Sequence, residues 1–435
     1  MNAHRKQLVA LARPVYFSLL ASVTAGIINT VWVSRLGPDA VAAVAVATNT
    51  ENVLLGVALV FASGTTVLVA HARGARDPGA LRAAVRGGWA LCALVTPAVA
   101  AGGWLLREPL ARLVLGDDGA ALALAVDYFA ISLPGIAVFF AQNLVDGILK
   151  GTGDTRTPMR LALLANGLIL VLDPLLIHAY GVRGAAATTV LCRGVALVAG
   201  LLALRRNAVL RASASARPAE ATGAALRRTL RTGLPMSADF TVRQTGALVL
   251  VAVVARIGLN AVAAYSLAYK VMYVATMAFY AVRQAASIHT AHTRGAGRDE
   301  RRAIGRQAVL VSGALGLLAA VLLMVLAPWL MRAFGAGPEV AQQGVLFLRS
   351  VGPYLVLTAC CIALGGVFEG SGGAPVLLRV TVLGTGVQLA LACALSGLGL
   401  PGICLAMALA MAVQCAVLLP RLRRQEASVS WVRVG

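Results

Sequence analysis

Charged residues, and acidic ones above all, are scarce in this sequence. Only 13% of the 435 residues are charged, and Asp and Glu together number 17. A soluble domain carries about 25% charged residues, and a chain with 59% hydrophobic residues would expose far too much apolar surface to water. The composition therefore excludes an ordinary soluble enzyme or DNA-binding protein.

The sequence also lacks the short motifs of most catalytic and metal sites. It has no P-loop, HExxH or GxSxG pattern, and its seven cysteines lie in apolar runs without metal-ligand spacing. Gly151–Asp154 matches the GxGD pattern of intramembrane aspartyl proteases, but such an enzyme needs a second facing aspartate, which the sequence does not supply. His289 and His292 make one ligand pair, and one pair does not make a metal site. We expect no enzyme activity, no cofactor and no resident metal.

Long apolar runs are what the sequence does have. A membrane-spanning helix needs about 20 apolar residues, and twelve such runs predict an all-α integral membrane protein with both termini on one side. Their approximate bounds are 14–34, 45–70, 86–106, 122–148, 158–178, 184–204, 233–255, 262–286, 307–328, 345–367, 376–397 and 400–420. We predict an N-terminal six-helix lobe over 1–204, a basic cytoplasmic linker over 205–232, and a C-terminal lobe with a basic tail over 233–435.

The positive residues behind the net charge of +21 are unequally distributed between the two sides of the predicted spans. Residues at or near span ends, such as Arg160, Arg349 and Arg379, are counted with the adjoining loops. The termini and the even-numbered loops then hold 27 of the 38 Lys and Arg residues, the odd-numbered loops hold seven, and four lie within spans. Cytoplasmic loops of membrane proteins are rich in Lys and Arg, so we expect a multi-pass plasma-membrane protein with both termini in the cytoplasm. The sequence has no basic patch interleaved with aromatic residues, so we expect no nucleic-acid partner.

The second half of the chain resembles the first at a shift of 221 residues. Pro14 aligns with Pro235, and the Ala70–Ala75 segment (AHARGA) aligns with Ala291–Ala296 (AHTRGA). Because the repeat unit has six helices, an even number, both copies have the same orientation in the membrane. Parallel repeats of this kind are typical of transporters with two halves, so we predict a secondary transporter that works by alternating access.

Five polar residues of the first half are predicted to share one layer in the outer part of the membrane: Asn29, Glu51, Asp173, Thr189 and Arg193. Ionisable residues within spans are costly and therefore candidate functional sites. A carboxylate in this layer could exchange a proton as its surroundings dry and rewet. Asp173 is the first candidate for that role. The alternative is a static ion pair of Arg193 with Glu51 or Asp173, and for Glu51 this structural role is the favoured one.

The second half has a different set of polar residues. Asp239 and Arg243 are four residues apart, in the favourable order for a helical pair, so Arg243 either neutralises Asp239 or faces an anionic group in a cleft. Lys270 lies in the outer half of its span, Arg283 is expected to reach water at the inner end, and Glu369 is expected to be solvated at the membrane boundary. Tyr265, Tyr269 and Tyr273 are candidate cleft residues because they lie nearly on one helical face.

The sequence resembles the multidrug and toxic compound extrusion (MATE) transporters over about residues 8–425. The most specific stretch is Gly151–Ile177, with its Gly-Asp-Thr-Arg-Thr-Pro turn and its Asp173-Pro174 pair; Trp32–Gly37, Gly184–Thr189 and Gln284–Ala286 also resemble the family. The resemblance implies two parallel-repeat lobes of six helices in a V-shaped arrangement. It also implies export of amphipathic, often cationic compounds in exchange for H⁺ or Na⁺.

The resemblance assigns roles to three residues of this sequence. Asp173 matches the fifth-helix acid of the N-lobe cation site, and Thr189 matches the sixth-helix hydroxyl of that site. Pro14 matches the first-helix proline whose bending is linked to protonation of the acid.

The sequence departs from the family pattern at further positions. Asn29 stands where an Asp is usual, Ile169 where an Asn is usual, and Arg193 where a Gln is usual. Arg243 and Thr358 stand where another branch has C-lobe acids. Two lost oxygen ligands and one added cation favour H⁺ over Na⁺ as the coupling ion.

These observations together predict an antiporter that exports small amphipathic compounds or drugs, acts as a monomer in the lipid bilayer, and is coupled to inward H⁺ flow, with Na⁺ less favoured. Two alternatives are a flippase of lipid-linked precursors from the same superfamily and an exporter of an anionic or zwitterionic metabolite. The flippase would use cleft arginines against a pyrophosphate, and convergence of Arg193, Arg243 and Lys270 on one open cleft would favour an anionic head group. The metabolite alternative rests on the added arginines.

Overall fold

A computed structural model of the protein describes residues 2–116, 119–335 and 337–424. The regular elements of these residues are helices only: fifteen α-helices and one short 3₁₀ turn at Ser396–Leu398. The α-helices are α1 Asn2–Ser34, α2 Pro38–Gly74, α3 Pro78–Leu105, α4 Arg107–Leu115, α5 Gly119–Ser132, α6 Ile136–Gly151, α7 Arg156–Arg206, α8 Ala208–Ser213, α9 Thr222–Ala255, α10 Leu259–Gly295, α11 Arg301–Ala333, α12 Pro338–Ser350, α13 Gly352–Gly370, α14 Ala374–Leu395 and α15 Leu400–Arg424.

Within the described residues, ten helices are long and apolar enough to cross a membrane, and α5 with α6 forms an eleventh span bent by 52°. This bent pair corresponds to the predicted span 122–148. The predicted span 345–367 begins earlier than the membrane-length helix α13. The helix is interrupted at Val351, which separates the short helix α12 from α13.

Helix α7 contains two of the twelve predicted spans. Its backbone reverses at Gly181, which has φ 58° and ψ −135°, a left-handed conformation that glycine adopts without a Cβ penalty. Gly184 consequently lies against the backbone of Leu176 and Ile177, residues that would be far from it in a continuous helix. The segments 156–180 and 182–206 are each about 37 Å long at 1.5 Å per residue, which is enough to cross a bilayer. The predicted spans 158–178 and 184–204 are these two segments.

The helices pack into two compact units. The N-terminal unit comprises the described residues of Phe17–Ser237, and the C-terminal unit comprises the described residues of Met1–Tyr16 together with those of Ala238–Gly435. These bounds differ from the lobes drawn on the sequence, because α1 is shared between the units and the basic segment 205–232 packs within the first. In that segment Asn207 accepts hydrogen bonds from the backbone nitrogens of Val209 and Leu210 and so caps α8.

The N-terminal unit is built around α2, which packs against α3, α5 and α6. The beginning of α9 also packs on α2. Gly233 lies against the backbone of Val60, and the Ser237 hydroxyl donates to the Gly56 carbonyl oxygen at 2.6 Å. These contacts explain why the first sixteen residues of α9 belong to the N-terminal unit.

The C-terminal unit is built around α13, which is the most deeply buried of its helices and packs against α10, α11 and α15. The first turns of α1 join this unit. The ring nitrogens His4 Nδ1 and His289 Nε2 are 3.0 Å apart, and Leu8 and Val15 are buried. Residues 2–16 are therefore held by the helices of the second half.

Two segments that match in the sequence repeat make the same contact in each unit. Arg73, near the end of α2, donates to the Thr152 carbonyl oxygen at the end of α6. Its counterpart Arg294, near the end of α10, donates to the Ser371 carbonyl oxygen at the end of α13. Cations bind the exposed carbonyls of a helix C-terminus favourably. The two arginines therefore cap equivalent helix C-termini. We call these two contacts the arginine clamps.

Candidate functional site

Asp173 lies on α7 in the N-terminal unit and is fully buried. Asn29 of α1 donates its amide Nδ2 to Asp173 Oδ2 at 2.8 Å, whereas Oδ1 accepts no hydrogen bond among the described residues. The next residue, Pro174, lies inside the helix and removes one backbone hydrogen bond there. The structure therefore brings together two of the predicted site residues, Asn29 and Asp173, and no cationic side chain among the described residues pairs with this carboxylate.

Thr188, and not the predicted Thr189, is the hydroxyl beside Asp173. Thr188 is buried and donates to the Gly184 carbonyl oxygen at 2.9 Å. Thr189 donates to the Ala185 carbonyl oxygen at 3.1 Å and lies near Tyr128. The side chains of consecutive helical residues point in different directions. Thr188 and Thr189 therefore lie on different faces of α7.

Glu51 and Arg193 form an ion pair in the same unit. Arg193 Nη2 donates to Glu51 Oε2 at 3.0 Å, and both side chains are half-buried. The Arg193 guanidinium also lies over the Phe139 ring, 4.7 Å from its centroid, which adds a cation–π contact. Of the two interpretations of Arg193, the ion pair with Glu51 is the one that the structure contains.

Tyr128 of α5 lies between the Asn29–Asp173 pair and the Glu51–Arg193 pair. It is not among the site residues predicted from the sequence. It is buried and lies close enough to Thr189, Glu51, Arg193 and Asp173 to interact with them electrostatically. No sequence pattern indicates this role, because it depends on how α5 packs against α7. Tyr128 places Asn29, Glu51, Asp173, Thr189 and Arg193 around one polar cluster, which we call the N-unit cluster.

Charge is unbalanced in the N-unit cluster. Glu51 is compensated by Arg193, whereas Asp173 has one amide donor and no ion pair among the described residues. Burying an unpaired carboxylate is expensive. The cluster therefore has one acidic group whose charge is costly unless a cation or a proton neutralises it.

The C-terminal unit has a buried polar network of opposite character. Asp239 Oδ2 accepts hydrogen bonds from Arg283 Nη2 at 2.6 Å and from Arg243 Nε at 3.1 Å, and Asp239 Oδ1 accepts one from the Thr381 hydroxyl at 2.5 Å. Arg283 also donates to Glu369 Oε1 at 2.6 Å. Two acids and two arginines leave this C-unit network neutral and fully paired.

The C-unit network corrects two expectations. Arg283 does not extend to water, since it is buried and bridges two carboxylates, and Glu369 is buried with it rather than solvated at a boundary. Both residues are polar in an apolar run, and the sequence alone does not show that they face each other. Arg243 takes the first of its two proposed roles and neutralises Asp239.

The tyrosine stripe divides into core and accessible residues. Tyr265 is 2% exposed and packs edge-on against Phe347, with 5.3 Å between the ring centroids. It is thus part of the core of its unit and not an accessible cleft residue. Tyr269 and Tyr273 are 37% and 44% exposed, and Lys270 between them is exposed, so these three remain candidates for contact with a substrate.

Residues 2–116, 119–335 and 337–424 contain no group of three or more His, Cys, Asp or Glu side chains arranged to hold a metal ion. Asp154 has a local role. It accepts hydrogen bonds from the backbone nitrogens of Arg156 and Thr157 and from the Thr157 hydroxyl. These bonds stabilise the start of α7, which is a structural use of the GxGD-like segment.

Comparison with known proteins agrees with this architecture. The sequence profile of the MatE family matches twice, at residues 14–175 and at 235–394, and the two matches start 221 residues apart, as the repeat predicts. The probable multidrug resistance protein YpnP of Bacillus subtilis is 25% identical over 87% of this chain and 84% of its own length. The probable multidrug resistance protein NorM of Thermotoga maritima is 24% identical over 85% of this chain and 80% of its own length.

Solved structures show the same fold. An outward-facing multidrug resistance MATE family transporter of the MOP superfamily superposes with a TM-score of 0.89 at 24% identity, covering 97% of this chain and 95% of the other. A MOP superfamily transporter from Pyrococcus furiosus, described as having a binding pocket of reverse polarity, superposes with a TM-score of 0.86 at 24% identity over 97% and 96%. The all-helical, twice-repeated fold predicted from the sequence is confirmed.

Proposed function

Because the chain belongs to the MatE family of multidrug and toxic compound extrusion transporters, we propose that it exports small amphipathic compounds across the plasma membrane in exchange for H⁺. Relatives named as multidrug resistance proteins, spanning most of this chain, support drug-like cargo. The distribution of the 38 Lys and Arg residues supports cytoplasmic termini.

The observation that carries the proposal is the unpaired state of Asp173. It is buried with one amide donor, while each of the other buried or half-buried acids named in the N-unit cluster and the C-unit network has an arginine. A proton neutralises such a group at no cost in coordination geometry. Protonation and deprotonation of Asp173 thus change the charge of the N-terminal unit by one, which is the event that a coupling site needs.

Proton coupling is favoured over Na⁺ coupling by the atoms around Asp173. A hard cation prefers several oxygen ligands, whereas Asn29 presents its amide nitrogen to the carboxylate and Ile169 contributes no ligand. Among the described residues, Thr188 supplies a hydroxyl beside the acid. This set supplies too few oxygens for a good Na⁺ site.

Alternating access is the transport cycle that we propose. Protonation of Asp173 rearranges the N-terminal unit, and deprotonation towards the cytoplasm resets it. Pro14 is the proposed bending point of α1: it lies inside the helix, where it removes a backbone hydrogen bond. The chain passes from one compact unit to the other between Tyr16 and Phe17, two residues after this weak point.

The paired arginines favour neutral or cationic cargo over an anionic substrate. The anionic-metabolite and lipid-precursor alternatives rest on Arg193, Arg243 and Lys270, and a related protein of Shewanella oneidensis is named an FAD transporter. Arg193 is neutralised by Glu51, and Arg243 is neutralised by Asp239. Only Lys270 is left exposed of the three, so the arginines give less support to these alternatives than the sequence suggests.

The proposal is tested by drug efflux from membrane vesicles under an imposed pH gradient, with and without Na⁺. Asp173→Asn keeps the size of the side chain and removes the titrating group, so it is expected to abolish efflux driven by the pH gradient. Asp127→Asn is the matched control, because Asp127 forms an exposed ion pair with Arg183 at 2.8 Å and is expected to keep wild-type efflux. Unchanged pH-driven efflux in Asp173→Asn contradicts proton coupling through Asp173, and efflux that requires Na⁺ identifies the other ion.

A further inference from the structure

A cavity of about 440 Å³ opens at one end of α7, in the N-terminal unit. Its lining consists of Asp154, Thr157, Ala199, Leu202, Ala203, Arg206 and Asn207. Because α7 reverses at Gly181, its two segments place Thr157 and Arg206 at the same end. The cavity therefore lies between the beginning of the first segment and the end of the second.

The position of the cavity relative to a bilayer follows from the side chains of the second segment. Val195, Val198, Leu201 and Leu202 are exposed, which is an outward apolar surface suited to lipid chains. This surface ends at the exposed arginines Arg205 and Arg206. The cavity thus lies where the hydrocarbon region meets the headgroup region, with its apolar wall on the hydrocarbon side.

Arg206 is available to a ligand. Its guanidinium is exposed and makes no hydrogen bond or ion pair among the described residues. Two further exposed arginines, Arg156 and Arg160, lie next to Thr157 and one turn beyond it on α7. An arginine without a partner, beside an apolar wall, suits a group that joins a phosphate to acyl chains.

The one acid in the lining does not block an anion from this site. Asp154 Oδ1 accepts two backbone N–H bonds, and Asp154 Oδ2 accepts the Thr157 hydroxyl at 2.6 Å. Its charge is thus turned towards the start of α7. The Asn207 side-chain oxygen likewise serves the start of α8, which leaves Arg206 as the free charged group of the cavity.

We propose that this cavity binds one anionic phospholipid, with the lipid phosphate on Arg206 and an acyl chain along Leu202 and Val198. The apolar wall commits the site to a lipid, since a free phosphate would gain nothing from Ala199, Leu202 and Ala203. The site is separate from Asp173 and does not depend on which ion drives transport.

Native mass spectrometry of the full-length protein, released from detergent with phosphatidylglycerol or phosphatidylethanolamine, tests the site. Arg206→Gln is expected to weaken phosphatidylglycerol binding about fivefold, the loss that corresponds to one arginine at an anionic surface. Arg231→Gln is the matched control, because Arg231 is an exposed arginine of the same basic segment outside the cavity lining. It is expected to bind as the wild type does. Ala203→Trp, which fills the cavity and keeps every charge, is expected to weaken binding as well.

Three results would overturn the proposal. Equal losses in Arg206→Gln and Arg231→Gln would show a diffuse basic surface instead of a site. Equal binding of the two lipids by the wild type would show that the lipid charge is not recognised. Displacement of phosphatidylglycerol by millimolar inorganic phosphate would assign the cavity to a soluble anion. Thermal unfolding of each variant confirms that the protein compared is folded.

Discussion

At the scale of single residues, the two halves of the molecule treat buried acids in opposite ways. Asp239 and Glu369 are each held by an arginine, while Asp173 has one amide donor. A buried acid that has lost its arginine is strongly destabilising, whereas a neutral, fully bonded network is tolerated. We therefore propose a structural role for the C-unit network and the coupling role for Asp173.

Arg283→Gln is predicted to destabilise the protein. Arg283 bridges Asp239 and Glu369 at 2.6 Å each, so its loss leaves buried carboxylates that are no longer compensated, at a cost of about 3–5 kcal/mol. The readout is the thermal unfolding midpoint of the purified protein. Arg298→Gln is the control: Arg298 is 63% exposed and lies 3.4 Å from Glu300, and exposed pairs contribute about 0–1 kcal/mol. Equal midpoints for the two variants would count against the network as a stabilising unit.

Residue identities could be predicted more readily than residue partners. The sequence indicates Asp173, Arg193, Asp239 and Arg243 as costly polar residues within apolar runs, and the structure places each of them in the N-unit cluster or the C-unit network. It does not indicate Tyr128, or that Thr188 rather than Thr189 lies beside Asp173. These relations depend on helix rotation and on contacts between distant segments, which apolar run length does not encode.

At the scale of elements, the repeat is visible in the arginine clamps. Gly153 and Gly372 follow the clamped carbonyls, and both have φ +78°. The first half has the longer loop Gly151–Pro158 and the second the shorter Gly370–Pro375, but the turn at the helix end is the same. The sequence predicts the aligned segments, and the structure shows why they are retained together: the arginine of one segment binds the turn of the other.

Gly153→Ala is predicted to destabilise the N-terminal unit more than Gly372→Ala destabilises the C-terminal unit. Both substitutions introduce a Cβ at positive φ, at a cost of about 1–2 kcal/mol. At Gly153 the new Cβ also meets the Arg73 guanidinium and displaces the clamp, whereas at Gly372 the nearest atom of Arg294 is 3.8 Å away. Gly386→Ala is the control, since nothing lies within 4 Å of a Cβ there. The order of the three thermal midpoints tests the prediction, and a midpoint for Gly153→Ala as high as the control would contradict it.

At the scale of the whole molecule, the boundaries of the compact units follow the repeat. The chain changes unit between Tyr16 and Phe17 and again between Ser237 and Ala238, two points that are 221 residues apart. A proline lies inside the helix shortly before each point, Pro14 in α1 and Pro235 in α9. The sequence predicts the repeat and the two prolines, but it places the lobe boundary in the basic segment, because charge marks a side of the membrane and not a packing unit.

The predicted orientation is tested by labelling with a membrane-impermeant maleimide. In a Cys393→Ser background, which removes the exposed native cysteine, Ser215→Cys lies in the basic segment and Leu259→Cys lies at the start of α10, where Leu259 is 88% exposed. Intact cells are expected to label Leu259→Cys, and Ser215→Cys is expected to label only after permeabilisation. The reverse pattern would show that the termini and the basic segment face outward.

The central claim, that a proton on Asp173 is exchanged for substrate, is tested most directly by proton movement itself. The measurement uses proteoliposomes with an enclosed pH-sensitive dye and a substrate gradient as the only driving force, in Na⁺-free buffer. We predict that substrate movement through the wild type drives protons in the opposite direction, and that Asp173→Asn moves none while Asp127→Asn behaves as the wild type. Proton movement through Asp173→Asn at the wild-type rate would contradict the account.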